Sequence, residues 1–134
     1  MSVCANLVKE FLDSKNLNYL SRLDSSGNTI ISIEYEKYTT HLHFKGDEGE
    51  YLSLRIYYEN IPEEKISDII FLCNTFHKEY KWICLYVDDD NDLVIQHDAI
   101  LCPENAAAAT MELFLRIAKI ISSIKPRIMK TLYS

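Results

Sequence analysis

The sequence predicts an α+β fold in which an antiparallel sheet, built from a meander and a hairpin, carries its helices on one face. Three observations lead to this class. Apolar residues recur at helical spacing near both ends of the chain, they alternate with polar residues through the first half, and turn residues separate the alternating segments. Helices that cover one face of an antiparallel sheet suit such an order. We therefore expect the order α-β-β-β(-β)-α-β-β-α in a single domain spanning residues 1–134.

The first half of the chain supplies one helix and a meander of strands. Apolar residues at helical spacing predict a first helix from about Val3 to Lys15. Three or four strands follow, because alternation runs through YLSRLD, TIISIEYE, THLHFK and YLSLRIYYEN, with turn clusters at SSGN and GDEGE. One face of such a meander is expected to meet water.

The second half adds a helix, a hairpin and a long last helix. Pro62 opens a segment whose apolar residues form one helical stripe, namely Ile66, Ile69, Ile70, Cys73, Phe76 and Tyr80. Two strands, WICLYVD and DLVIQHD, then flank an acidic run. The last helix is predicted to begin near Pro103 and Glu104, and Pro126 is expected to kink it or to end its regular part near Lys125.

Composition limits the classes of function. A chain of 134 residues with 48% hydrophobic and 25% charged residues buries a core of its own, as soluble globular proteins do. The net charge of −6 argues against nucleic acid as a partner, because phosphate binding depends on Lys and Arg. The C-terminal segment is locally cationic, which we attribute to solvation of the last helix, with an anionic partner surface as the alternative. Its basic residues are Arg116, Lys119, Lys125, Arg127 and Lys130.

Cysteines and hydropathy indicate a cytoplasmic protein. Cys4, Cys73, Cys84 and Cys102 show no C-x-x-C spacing and lie among apolar neighbours, which predicts small buried side chains in a reducing compartment. No run reaches the roughly 18 to 20 apolar residues of a membrane span, so we expect no membrane partner. The motifs G-x-S-x-G, G-x-G-x-x-G and the P-loop are missing, and we predict neither an enzyme nor a cofactor.

The acidic run from Asp88 to Asp92 raises the question of a metal site. Asp90 and Asp92 fit the third and fifth positions of a calcium-binding EF-hand loop that starts at Asp88. Leu93 replaces the glycine at the sixth position, and Ala99 replaces the glutamate at the twelfth. The run therefore predicts a hairpin turn, with weak Ca²⁺ or Mg²⁺ binding as the alternative.

Histidines offer a second candidate for metal binding. His41 and His43 lie two residues apart on a predicted strand and so share its polar face. Cys73 and His77, four residues apart on a helix, offer two further ligands for Zn²⁺ or Cu²⁺. The favoured interpretation is that the strand histidines are exposed to solvent and bind no metal.

The last helix has more apolar surface than one sheet can cover. Its apolar residues span more than half of the helix circumference, whereas Glu112, Arg116, Lys119 and Ser123 share one narrow polar stripe. The surplus is buried either under other elements of the same chain or against a second molecule. We prefer a homodimer or partner interface, formed by Leu113, Ile117, Ile120, Ile124 and Ile128.

The stretch LCNTFHKEYKWICLYVDDDNDLVIQHDAIL, preceded by YENIPEEKISDIIF and followed by a long helix, resembles the YbjN-like family of small bacterial sensory transduction regulators. That family combines a helix carrying an N-x-x-N element with a hairpin of pattern φ-x-φ-x-φ-D-x-D-G-φ. Asn74 matches the first asparagine, His77 stands at the second position, and the turn lacks the glycine. The resemblance covers about Glu59 to Leu101. It implies a fold like that of type III secretion chaperones, which are small, acidic, dimeric and bind unfolded protein segments.

These observations predict a non-enzymatic cytoplasmic binding or regulatory protein. We expect a chaperone-like dimer that holds a partner's segment on an exposed sheet edge or in an apolar groove. Five tyrosines in the meander would suit such a surface, but the favoured interpretation is that they are ordinary amphipathic strand residues. They are Tyr35, Tyr38, Tyr51, Tyr57 and Tyr58. The alternative function is metal or small-ligand binding through His41, His43 or the Asp88 to Asp92 turn.

Overall fold

The computed structural model describes residues 2–134 and contains three α-helices and one six-stranded antiparallel sheet. The helices are α1 (Val3–Ser14), α2 (Ile66–Glu79) and α3 (Ala106–Leu132), and a short 3-10 helix (Glu63–Lys65) precedes α2. The strands are β1 (Leu20–Leu23), β2 (Thr29–Tyr35), β3 (Tyr38–Lys45), β4 (Tyr51–Asn60), β5 (Cys84–Val87) and β6 (Asp92–Ile100). The predicted class and element order are confirmed, with four strands in the meander. The likeness to type III secretion chaperones stays a prediction.

The sheet runs in the order β1-β2-β3-β4-β6-β5. Strands β1 to β4 pair in chain order as a continuous meander. Strand β6 then pairs with β4, for example through Ile56 and Ile95. The helix α2 connects β4 to β5. The β5–β6 hairpin then joins the sheet through β6, which pairs with β4 and leaves β5 at the edge. The two edge strands of the sheet are therefore β1 and β5.

One hydrophobic core joins the three helices to one face of the sheet. Alternate strand residues point into it, as the pattern in β3 and β4 predicts, and Leu42 and Leu54 are fully buried opposite each other. Each helix contributes a buried stripe to the same cluster: Cys4, Val8 and Leu12 from α1, Ile69, Cys73 and Phe76 from α2, and Phe114, Ile117, Ile121, Ile124 and Ile128 from α3. Ile70, which the predicted α2 stripe included, is instead 53% exposed.

Pro126 does not end the last helix, which begins at Ala106 and continues to Leu132. A proline inside a helix removes one backbone hydrogen bond and crowds the preceding turn. Here the pyrrolidine ring lies on the exposed side, whereas Ile124 and Ile128 on either side of it are fully buried. Burial of these neighbours offsets the lost bond, so the expectation that the regular helix ends near Lys125 is wrong.

The prediction that all four cysteines are buried is half right. Cys4 and Cys73 are buried in the core, but Cys84 and Cys102 are exposed, and all four are free thiols. Cys84 lies on the edge strand β5 with its neighbour Leu85 turned into the core, and Cys102 lies in the loop before α3. Apolar neighbours in sequence therefore did not imply burial, since successive strand residues face opposite sides.

Candidate partner-binding groove

A groove with a volume of about 490 Å³ lies between α3 and the segment that connects α2 to β5. Ile83 and Ile117, which are 8% and 2% exposed, form its buried base. Leu113 and Ile120 from α3 are half-buried in its wall. The groove therefore presents apolar surface to solvent along one side of α3.

Trp82 forms part of the opposite wall and is the single tryptophan of the chain. Its side chain is 77% exposed, although burying an indole removes more apolar surface from water than burying most other side chains. Its backbone φ is 76°, in the left-handed region that a bulky residue rarely adopts and that costs of order 1–3 kcal/mol. A positive φ at an exposed aromatic side chain makes this wall of the groove a candidate functional surface.

Contacts between α2 and α3 hold the two walls of the groove together. Hydroxyl groups of Tyr80 and Ser123 are 2.8 Å apart, directly across the groove. Arg127 donates to Glu79 at 2.6 Å, and its guanidinium lies 4.9 Å from the ring centre of the buried Phe76. These contacts make the groove a preformed feature of the fold, as ligand sites usually are.

Charged side chains around the groove are mostly cationic. Lys81, Arg116 and Lys119 line it together with one carboxylate, Glu112. Arg116 pairs with Glu112 at 2.9 Å, but both side chains are more than 60% exposed, so the pair is weak. Within residues 2–134, neither Lys81 nor Lys119 forms an ion pair. In a protein of net charge −6, the groove is thus a local attractor for anionic groups.

His97 also lines the groove, although the sequence analysis did not identify it. It lies on β6 with Leu93 and Ile95 on the same face, and partial burial lowers its pKa. The period of two along β6 was the available signal, since it assigns His97 to the helix side of the sheet.

The five residues predicted as an interface separate into two groups. Ile117, Ile124 and Ile128 belong to the core of the chain itself and are at most 2% exposed. Leu113 and Ile120 are half-buried and line the groove. The helices α1 and α2 pack against α3 and cover much of its surplus apolar surface. Burial within the same chain was the alternative to an interface. Of the five predicted residues, only Leu113 and Ile120, on the groove side of α3, remain partly accessible to solvent.

The acidic run forms a tight hairpin turn between β5 and β6, as predicted. Asp88 Oδ1 accepts the backbone N–H groups of Asp90 and Asp92 at 3.0 and 2.9 Å. Asn91 adopts φ 63° at the position where the family pattern has glycine. The turn between β1 and β2 has the same bonding, with Asp24 in place of Asp88 and Gly27 at φ 83°. The carboxylate of Asp88 therefore accepts backbone hydrogen bonds within the turn.

Replacement of Asp88 by alanine should therefore destabilise the hairpin. Two backbone donors lose their acceptor, and we expect the free energy of unfolding to fall by about 1–2 kcal/mol. Urea denaturation of the purified variant measures this change. Asp89→Ala is the matched control, because Asp89 is exposed and a neighbour in the same turn. Equal stability of the two variants would contradict the assigned role of Asp88.

The strand histidines occupy the face of the sheet opposite the helices, but they are half-buried and not exposed as predicted. A hydrogen bond of 2.8 Å joins His41 Nδ1 to Ser32 Oγ. His77, the other histidine considered as a ligand, accepts the Leu85 N–H at 2.9 Å through Nε2 and so covers the outer edge of β5. Residues 2–134 contain no group of three His, Cys, Asp or Glu side chains that could hold a metal ion.

His77 explains one departure from the family pattern. It stands where the second asparagine is expected, and it satisfies the backbone at the junction of helix and strand. Asn74, which matches the first asparagine, is exposed on α2.

Stability should depend on the charge of His43. Burial, followed by Arg55, His41, Lys45 and Arg22, lowers its pKa from 6.5 to about 4. The neutral ring is the favoured form in the folded state, so this contribution is fully present above pH 6.5 and is lost as the pH falls towards 4. Solvent screening limits the loss to roughly 1 kcal/mol.

Urea denaturation between pH 7 and pH 4 measures this loss, with His43→Gln as the reference. The variant should show a shallower decrease in stability than the wild type over this interval. Asp24, whose pKa is lowered by the backbone N–H of Asn28, also loses stabilisation in acid, but it does so in both proteins. Parallel pH profiles of the two proteins would rule out a contribution from His43.

Comparisons with known proteins support one family. The family model of YbjN, described as "Putative bacterial sensory transduction regulator", matches residues 5–123 of the 134. No curated protein matches the chain. Among residues 2–134, no helix combines the length and apolar character that crossing a bilayer requires. The match includes every strand of the sheet and most of α3, and the chain therefore belongs to the YbjN family.

Proposed function

We propose that the protein is a non-enzymatic cytoplasmic regulator that holds an acidic, partly apolar segment of a partner protein in the groove beside α3. The observation that supports this most directly is the combination of an exposed Trp82 with a cationic rim on a preformed apolar groove. A regulatory role also agrees with the description of the family.

Apolar contacts would supply most of the affinity. Trp82, Leu113 and Ile120 expose apolar surface that the protein itself leaves uncovered. Tryptophan is enriched among the few interface residues that dominate binding energy, and truncation of such a residue costs about 2 kcal/mol or more. A partner side chain placed between the indole ring and α3 would bury both surfaces.

Charge selects the kind of segment that the groove accepts. Lys81 and Lys119 have no carboxylate partner within residues 2–134, so acidic side chains flanking an apolar anchor would pair with them. A second copy of the chain is a poorer occupant, because an isologous contact places the same patch against itself and brings like charges together.

Fluorescence of the single tryptophan tests the proposal directly. We would titrate the full chain with a short peptide that carries leucines at helical spacing and flanking glutamates. Binding in the groove should shift the Trp82 emission to shorter wavelength, and a peptide with lysines in place of the glutamates should leave it unchanged. Lys119→Glu should weaken binding about tenfold, whereas Lys130→Glu, an equal charge change at an exposed site outside the groove, should not.

Trp82→Gly separates binding from folding. Glycine adopts positive φ without strain, so this variant should be at least as stable as the wild type. Anisotropy of a labelled acidic peptide should nevertheless show a loss of affinity of about thirtyfold or more. Phe71→Ala is the control, because it removes an aromatic ring that is 75% exposed on α2. Unchanged affinity of Trp82→Gly would refute the groove as the binding site.

The homodimer is a separate part of the proposal, and we place it at the edge strand β1. All four residues of β1 are exposed, and Leu20 and Leu23 are 77% and 66% exposed. A second β1 paired antiparallel across a two-fold axis would satisfy the free backbone groups, and Leu20 and Leu23 would each gain a cross-strand neighbour on their own face of the sheet. Light scattering should give twice the mass of the chain for the wild type and the single mass for Leu20→Lys. A monomeric wild type would remove the dimer from the proposal and leave the groove unaffected.

A further inference from the structure

The face of the sheet opposite the helices carries a second surface that the groove does not explain. Strand register places Tyr51, Ser53 and Arg55 of β4 on this face, beside His43 and Lys45 of β3. No helix of residues 2–134 covers it, because the helices pack on the other face. Part of this face forms a hollow of about 330 Å³, whose lining includes Lys45, Tyr51, Ser53, Arg55, Asp98 and Ile100.

Hydrogen-bond donors converge at this hollow. Arg55 is half-buried and its Nε donates to Ser53 Oγ at 3.1 Å, so the guanidinium bends along β4 towards the hollow. His43 lies directly opposite Ser53, and Lys45 extends from the next position on the same face of β3. Arg55 and Lys45 form no ion pair with any carboxylate within residues 2–134. Cationic donors that form no ion pair are suited to bind an oxyanion.

The same hollow has an apolar side. Tyr51 lies opposite Ile100 of β6, and their side chains are 55% and 77% exposed. Large apolar side chains exposed beside unpaired cations suit a ligand with both characters. We propose that this face binds a small organic anion, whose phosphate or carboxylate group lies between Arg55 and Lys45 and whose apolar part packs against Tyr51 and Ile100.

Asp98 is the one carboxylate that lines the hollow, and it limits the affinity for anions. It accepts both bonds from the amide of Gln96, at 3.1 and 3.2 Å, and not from Arg55. Arg22, Lys45 and Arg55 outnumber it on this face. Burial first, and then Arg55, His41, Lys45 and Arg22, lower the pKa of His43, which agrees with a positive potential on this face.

Phenyl phosphate and benzoate are suitable probes, because each joins an aromatic ring to one of the two anionic groups. Titration of the full chain at constant ionic strength, followed by NMR signals of the His43 ring and the Arg55 side chain, should give saturable shifts with one probe or both. The two probes distinguish a phosphate ligand from a carboxylate ligand. Inorganic phosphate should bind more weakly than phenyl phosphate if the apolar side contributes.

Variants on the two faces test the assignment. Arg55→Gln should weaken binding of the better probe about tenfold, the effect of one charge-assisted hydrogen bond. Lys130→Gln, which removes the same charge from an exposed site outside both the hollow and the groove, should leave the affinity unchanged. Asp98→Asn should strengthen binding. Shifts that do not saturate, equal effects of Arg55→Gln and Lys130→Gln, or weaker binding by Asp98→Asn would each overturn the proposal, and none bears on the groove.

Discussion

Replacement of Ile124 by aspartate is expected to unfold the protein. Ile124 is fully buried where α3 packs into the core, and no Lys or Arg among residues 2–134 is buried there to pair with a carboxylate. Loss of the aliphatic side chain costs about 2–5 kcal/mol, and burial of an unpaired charge adds several more. The sum approaches the total stability of a small domain, which is about 5–15 kcal/mol. Circular dichroism and a thermal melt would measure the loss of structure.

Ile120→Asp is the matched control, one helical turn earlier on α3. Ile120 is half-buried in the wall of the groove, so an aspartate there reaches water and the fold should persist. This variant should instead lose affinity for the acidic peptide, because a carboxylate replaces apolar surface. If Ile124→Asp remains folded with an unchanged melting temperature, the place of α3 in the core is wrong.

Phe76→Ala is expected to be the second most damaging change. Phe76 is 1% exposed, its ring lies 6.1 Å from the ring of Tyr80, and Arg127 lies 4.9 Å above it. Truncation would leave a cavity between α2 and α3 and remove both ring contacts, at a cost of about 3–5 kcal/mol. Urea denaturation should show a lower midpoint with an unchanged slope.

The same helix contains the control for this change. Phe71 is 75% exposed, so Phe71→Ala should alter the free energy of unfolding by no more than about 0.5 kcal/mol. If Phe71→Ala and Phe76→Ala lowered the free energy of unfolding by similar amounts, Phe76 would not be the residue that α2 buries in the core.

Local patterns predicted most of the fold because they depend on near neighbours along the chain. Alternation in β2 to β4 identified the strands, and the acidic run identified a hairpin turn in which Asp88 bonds to Asp90 and Asp92, within five residues of the chain. The predictions that were wrong depended on distant residues. Pro126 remains inside α3 because burial of Ile124 and Ile128 holds the helix together, and Cys84 is exposed because it lies on the face of β5 that no helix of residues 2–134 covers, whereas Leu85 is buried on the other face.

The sequence by itself determined the class of the fold, the order of its elements, the turn at Asp88 and the membership of the YbjN family. Each depends on periodicity or on motifs, which are properties of contiguous residues. Only the tertiary structure decided which apolar residues of α3 enter the core and which line a groove, and it alone brought Trp82 opposite Ile120 and Arg55 beside His43. Helical spacing assigns residues to a helix face, but the neighbours that cover that face come from other parts of the chain.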